Sequence, residues 1–98
     1  MSYSEEIWLL REKIDNLDNE LLNILKQRFD VVQKIWEFKK ENNIAPLDEN
    51  RWQKIIYNIR KKSEEKNINP DFVENLWNTI HGEALKLEAI ETVKTGED

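Results

Sequence analysis

The sequence contains no cysteine, two glycines, two prolines and a single histidine among its 98 residues. The lack of cysteine excludes catalysis by a Cys–His pair, and the lack of a glycine-rich phosphate loop excludes P-loop chemistry. With His81 alone, the composition also argues against a histidine-based zinc site. We therefore expect no metal and no cofactor, so that any reaction here would be promoted by positioning and electrostatics.

Long hydrophobic runs and a surplus of basic residues are absent as well. No apolar run is long enough to span a bilayer, and the N-terminal segment lacks the basic start and continuous apolar stretch of a signal peptide. The formal net charge is −5 and the basic residues are interleaved with acids, which argues against binding to nucleic acid. Because the lack of cysteine also fits a reducing compartment, we predict a cytoplasmic protein without a membrane or nucleic-acid partner.

What the chain does have is charge and helical periodicity. Charged residues make up 36% of it, and no stretch shows strand-like alternation, so the fold class is predicted to be all-α. The length indicates one domain over residues 1–98, ordered from about 5 to about 92. The helices are expected at about 5–42, at 48–63 with Asp48 as N-cap, and at 70–92 after Asn69.

Two apolar seams run side by side along the long first helix. The first has ten positions, of which nine are apolar and the tenth is Arg28. They are Ile7, Leu10, Ile14, Leu17, Leu21, Ile24, Arg28, Val31, Ile35 and Phe38. The second seam carries Arg11 and Lys39. Burying an unpaired cation costs several kcal/mol, so a buried cation needs a compensating anion. The cations in these seams therefore predict an anionic ligand.

The length of the first helix predicts a dimer. About 38 residues give a helix of roughly 55 Å, whereas a compact chain of this size has a radius of gyration of about 13 Å. Such a helix cannot bury two seams against its own chain, so we expect an intertwined homodimer. Arg28 and Lys39 lie three turns apart on one stripe, whereas Arg11 is about 25 Å from Arg28 and could reach the same ligand only from the partner subunit.

The run LREKIDNLDNELLNILKQRFDVVQKIWEFKKENNIAPLDENR, residues 10–51, resembles the all-helical class of chorismate mutases. The resemblance rests on LREKID, a Leu-rich turn, the KQR that ends at Arg28, Lys39, and the DxxR from Asp48 to Arg51, all at family spacing. It continues less clearly through residues 72–88 and covers about nine tenths of the chain.

The resemblance implies a three-helix subunit in a domain-swapped homodimer that converts chorismate to prephenate, a step of aromatic amino-acid biosynthesis. Arg28 and the partner subunit's Arg11 would hold the two carboxylates of the substrate. Lys39 would hydrogen-bond a carboxylate and the ether oxygen. The remaining implied contacts come from the start of the second helix and from apolar walls: Asp48, Arg51, Val32, Ile35 and Leu85.

Three positions depart from the family pattern or vary within it. Trp52 stands where a Glu commonly contacts the ring hydroxyl, and Ala84 stands where many members have Ser, which leaves the substrate's identity open. Glu88 stands where the family has Gln or, in some branches, Glu. An ionised Glu88 would repel the ether oxygen, so we expect it to be protonated, with burial raising its pKa and Lys39 lowering it.

Several alternatives stay open at this point. An isochorismate pyruvate lyase and a 4-amino-4-deoxychorismate mutase use similar scaffolds; Asp48 and Arg51 favour a mutase over the lyase, and Trp52 and Ala84 favour the reverse. From another class, a non-catalytic helical dimer or regulatory module would pair its seam cations between helices. Docking of another aromatic-pathway enzyme on the dimer is also compatible with the sequence.

Individual residues have simpler interpretations too. These are Asp48 as only an N-cap, Arg51 paired with Asp48, His81 as structural, Gly82 at a close helix approach, the four Trp as core or dimer filling, and residues 60–66 as a solvated helix end.

Overall fold

The structure, a computed structural model, describes residues 2–44 and 48–96, and all the regular secondary structure within these ranges is α-helix. Helix α1 spans Tyr3–Glu41, α2 spans Glu49–Glu65 and α3 spans Pro70–Gly96. The predicted all-α subunit of three helices is therefore confirmed. The bounds of α1 and α2 lie close to the predicted ones, whereas α3 continues past residue 92. Residues 45–47, which lie between the first two predicted helices, fall outside the described residues.

Short polar side chains begin the helices, as the sequence predicts for Asn69. The Ser2 hydroxyl accepts a hydrogen bond from the Glu5 N–H at 3.2 Å, at the start of α1. The Asn69 side chain accepts one from the Asp71 N–H at 2.9 Å, at the start of α3. These bonds satisfy backbone donors that have no partner inside a helix, so the sequence itself fixes where each helix starts.

Asparagines in the left-handed conformation follow α1 and α2. Asn43 has a φ of 56° and Asn67 a φ of 59°, a region that asparagine tolerates better than most residues. After Asn43, the Ile44 N–H donates to the Lys39 carbonyl at 2.8 Å. Helix α1 thus ends within one turn of Lys39, which fixes the backbone of a predicted site residue.

The chain divides into two compact units, Met1–Val32 and Gln33–Asp98. The first unit is one helical stretch, the larger part of α1, and most of its large apolar side chains are exposed. They include Trp8, Leu9, Leu10, Ile14, Leu17, Leu21, Leu22, Ile24 and Val31. An exposed apolar surface of this length is typical of a helix that binds another protein surface.

The second unit contains the end of α1 and the packed helices α2 and α3. Its buried side chains among the described residues are Trp36, Ser63, Val73 and Ala84. The buried Ser63 hydroxyl has a partner, because it donates a hydrogen bond to the Ile59 carbonyl at 2.6 Å. This unit brings the end of α1 and the middle of α3 into one body.

Arg60 links α2 to α3. Its guanidinium lies 3.0 Å from the Asp71 carboxylate and 3.1 Å from that of Glu74, and the bond to Asp71 is the main cause that raises the pKa of Arg60. The interpretation of residues 60–66 as a solvated helix end did not include these two ion pairs of Arg60. Its partners lie eleven and fourteen residues along the chain, beyond the range of helical spacing rules.

Gly82 lies inside α3, where a Cβ atom would meet nothing within 4 Å among the described residues. The interpretation of Gly82 as a close helix approach is therefore wrong for this subunit. Because glycine is a poor helix former, we expect Gly82→Ala to raise the free energy of unfolding by about 0.5–1 kcal/mol, measured by urea denaturation. A lower stability would contradict this and would show that another surface, such as a partner subunit, approaches Gly82.

Candidate active site

Lys39 and Glu88 interact in the second unit. Glu88 lies in α3 and is half-buried, and this burial is the main cause that raises the pKa of its carboxyl group. The positive charge of Lys39 acts in the opposite direction and lowers the pKa of Glu88 by less. These are the two opposing causes expected from the sequence. On balance the pKa of Glu88 is raised, so its carboxyl group stays protonated, and able to donate a hydrogen bond, to a higher pH than that of an exposed Glu.

Trp52 and His81 form a stacked pair between α2 and α3. Their ring centroids lie 3.9 Å apart and the ring planes differ by 12°. His81 precedes Ala84 by three residues and Glu88 by seven, so all three lie on one face of α3. The stack therefore places the Trp52 indole over the face of α3 that also carries Glu88. His81 has a defined contact that periodicity alone did not predict.

Asp48 caps α2. Its carboxylate accepts a hydrogen bond from the Arg51 backbone N–H at 3.0 Å, which confirms the predicted N-cap. Within the described residues, the contact between Asp48 and Arg51 is this capping bond and not the ion pair considered from the sequence. Arg51 is exposed on the first turn of α2.

The capping bond gives Asp48 a testable structural role. We expect Asp48→Ala to lower the free energy of unfolding by about 1 kcal/mol, because the Arg51 N–H loses its acceptor. Asp48→Asn keeps a side-chain oxygen at the same place and should retain most of the stability in the same urea titration. An equal loss in both variants would contradict capping as the source of the effect.

The predicted site residues are distributed over both units. The first unit contains Arg11, which is exposed, and Arg28 and Val32, which are half-buried. Arg11 borders a shallow groove along the start of α1. The second unit contains the others: Ile35, Lys39, Asp48, Arg51, Trp52, Ala84, Leu85 and Glu88.

The apolar wall predicted for the site is only partly covered in this subunit. Ala84 is 4% exposed and Leu85 is half-buried, whereas Ile35 remains 49% exposed. Within the second unit, the face of α3 around Ala84 thus provides an apolar surface next to the Lys39–Glu88 pair.

Trp36 was predicted only as core or dimer filling. Its side chain is 7% exposed, yet its indole N–H has no hydrogen-bond acceptor within the described part of the chain. Helical spacing places Trp36 one turn before Lys39 on the same face of α1, and this spacing was the sequence signal that could have identified Trp36 as a site residue.

Among the described residues there is no group of acidic or histidine side chains that could hold a metal ion. None of the helices there is long and apolar enough to cross a membrane.

The family model for type II chorismate mutases matches residues 10–89 of the chain. The chain belongs to the type II chorismate mutase family. The resemblance found in the sequence is thereby confirmed, and the matched range includes Lys39 and Glu88.

Relatives of this type II domain carry several names. It is 28% identical over 79 residues to a 4-amino-4-deoxychorismate mutase of Streptomyces pristinaespiralis, covering 81% of this chain and 61% of the relative. It is 28% identical over 90 residues to a chorismate mutase of Methanocaldococcus jannaschii, covering 89% and 90%. A T-protein of Enterobacter agglomerans is 27% identical over 90 residues, 92% of this chain but 24% of the relative.

Proposed function

We propose that this type II domain is an isomerase that converts chorismate to prephenate. The observation that carries the proposal is the Lys39–Glu88 pair, in which burial raises the pKa of the Glu88 carboxyl group near the Lys39 ammonium group, so that a protonated carboxyl could donate a hydrogen bond. Two hydrogen-bond donors of this kind suit an oxygen atom that gains negative charge during a reaction.

The rearrangement fits a site without a nucleophile. In chorismate the ether C–O bond breaks while a new C–C bond forms within the same molecule, and negative charge grows on the ether oxygen. Lys39 and protonated Glu88 would stabilise that charge more strongly in the transition state than in the substrate, which lowers the barrier. No proton or electron has to leave the substrate, so positioning and electrostatics suffice.

The two carboxylates of the substrate would be held by arginines. We assign them to Arg28 and to the partner subunit's Arg11, on the basis of helical spacing and of the family resemblance. Arg51, whose backbone N–H donates to Asp48, would close the site. Its apolar walls would be Val32, Ile35 and Leu85. The exposed apolar seam of the first unit supports the homodimer that this assignment requires, because dimerisation would remove it from water.

A second substrate deserves the same test. Trp52 and Ala84 replace polar side chains that family members commonly direct at the ring, and a relative named 4-amino-4-deoxychorismate mutase aligns with 81% of the chain. The 4-amino analogue has the same two carboxylates and ether oxygen, so Lys39, Glu88 and the arginines would act on it in the same way. The difference would lie at the ring substituent near the Trp52–His81 stack.

The deciding experiment compares three substrates. The purified protein is incubated with chorismate, isochorismate and 4-amino-4-deoxychorismate, and the products are separated by chromatography. We expect prephenate to form fastest. Salicylate with pyruvate would indicate the lyase instead, and preferred turnover of the amino analogue would move the proposal to that substrate. Failure to convert any of the three would leave the non-catalytic helical dimer as the explanation.

Mixing inactive variants tests the shared site. Arg11→Ala and Arg28→Ala homodimers each lack one cation at both sites, so both should be strongly impaired. Unfolding and refolding them together would produce heterodimers with one doubly defective site and one intact site. Recovered activity in the mixture would support a site built from two subunits, whereas no recovery from two folded, dimeric variants would contradict it.

A further inference from the structure

Trp36 carries a hydrogen-bond donor in an unusual position. The side chain is 7% exposed and lies in the last turns of α1, within the second unit. Its indole N–H is buried and has no hydrogen-bond partner among the described residues. The Ser63 hydroxyl, by contrast, is buried and satisfied, because it donates to the Ile59 carbonyl. Buried donors in folded proteins almost always have acceptors, so the one on Trp36 requires an explanation.

The position of Trp36 points to a ligand. Lys39 follows it by three residues on the same face of α1, about 4.5 Å further along the helix axis. The charge of Lys39 acts on the half-buried Glu88 carboxyl group, whose pKa is raised by burial. The indole N–H, the ammonium group and a protonated carboxyl group are all hydrogen-bond donors. A ligand that complements this end of the unit therefore has to supply acceptors.

We propose that the Trp36 indole N–H is a further substrate-binding group, which donates a hydrogen bond to a carboxylate oxygen of a dianion held at Lys39. An indole N–H can donate but cannot accept, so it favours an anion over a cation or a water that needs two partners. It adds no charge, so it would hold the substrate and its transition state about equally. The identity of the dianion as chorismate or prephenate rests on the proposed function.

The first test removes the donor and keeps an aromatic ring. Trp36→Phe should raise the Kd for prephenate and the KM for chorismate about tenfold, with little change in kcat, because a hydrogen bond to a charged acceptor is lost from substrate and transition state alike. Trp77→Phe is the matched control, since it makes the same chemical change at a half-buried position of α3. We expect it to leave Kd and KM unchanged.

The second test observes the indole directly in the unaltered protein. The four tryptophans give four indole N–H signals in a nitrogen-15 NMR spectrum. Single Trp→Phe variants at positions 8, 52 and 77 assign the Trp36 signal by elimination, even if Trp36→Phe itself does not fold. Adding prephenate should move the Trp36 signal downfield, as expected when an N–H binds an anionic oxygen.

The outcomes separate this inference from the proposed function. If the protein converts chorismate and the Trp36 signal does not move, the inference is wrong and the proposed function stands. If prephenate moves that signal in a protein that leaves chorismate unconverted, the inference holds and the proposed function is wrong. A protein that neither binds prephenate nor converts chorismate contradicts both.

Discussion

Lys39→Met is expected to lower kcat for chorismate by about 10²–10³-fold, the usual loss when one donor to a developing negative charge is removed. Methionine keeps the length and apolar stem of lysine, so the change mainly removes the charge and the N–H donors. Because Lys39 also lowers the pKa of Glu88, the variant should keep Glu88 protonated to a higher pH. The measurement is steady-state loss of chorismate at a pH where wild-type Glu88 is protonated.

Lys40→Met provides the control for this variant. Lys40 is the next residue, carries the same charge and is exposed in the last turn of α1. The Lys40→Met variant should leave kcat unchanged, because it changes the net charge by the same amount as Lys39→Met but removes no donor near Glu88. A similar decrease in both variants would mean that overall charge, and not a donor at Lys39, supports the reaction.

The positions of the helices could be predicted because their signals are local. Asp48 and Asn69 start α2 and α3 through hydrogen bonds that span two or three residues, and such bonds depend on the nearby sequence alone. The end of α3 was placed too early, since residues 93–96 contain no strong stop signal before Gly96. A helix end without Pro or an early Gly leaves only weak propensity differences to judge from.

Contacts between helices could not be predicted from spacing. The Trp52–His81 stack and the links from Arg60 to Asp71 and Glu74 join residues that are far apart in sequence and meet only after α2 and α3 pack. No periodicity within one helix specifies a partner on another helix. These pairs therefore appear only with the structure.

The candidate site was only partly accessible to sequence reasoning. Arg28 and Lys39 were found because cations interrupt an apolar seam, a pattern that one helix reveals by itself. Trp36 was missed because an apolar residue in a seam fits the core, and its unsatisfied N–H becomes visible only once burial is known. The raised pKa of Glu88 needed the family resemblance to suggest it and the packing of α3 to support it.

Activity is expected to fall as the pH rises through the pKa of Glu88. Burial raises that pKa above its ordinary value and Lys39 only partly opposes the shift, so the protonated form persists to higher pH than for an exposed Glu. The sign follows from the role: the protonated carboxyl donates a hydrogen bond to the ether oxygen, whereas the ionised form repels it. Above the pKa, kcat should fall about tenfold per pH unit until residual activity remains.

Glu88→Gln identifies the group responsible. The amide donates a hydrogen bond at every pH, so its profile should be flat where that of the wild type declines, and the variant should be the faster enzyme at high pH. Glu83→Gln, a change at an exposed acid of the same helix, should keep the wild-type decline. In Lys39→Met the residual activity should decline at higher pH than in the wild type, because the charge that favours ionisation of Glu88 is gone. An unchanged profile in Glu88→Gln would exclude Glu88 as the titrating group, even if the protein is an active mutase.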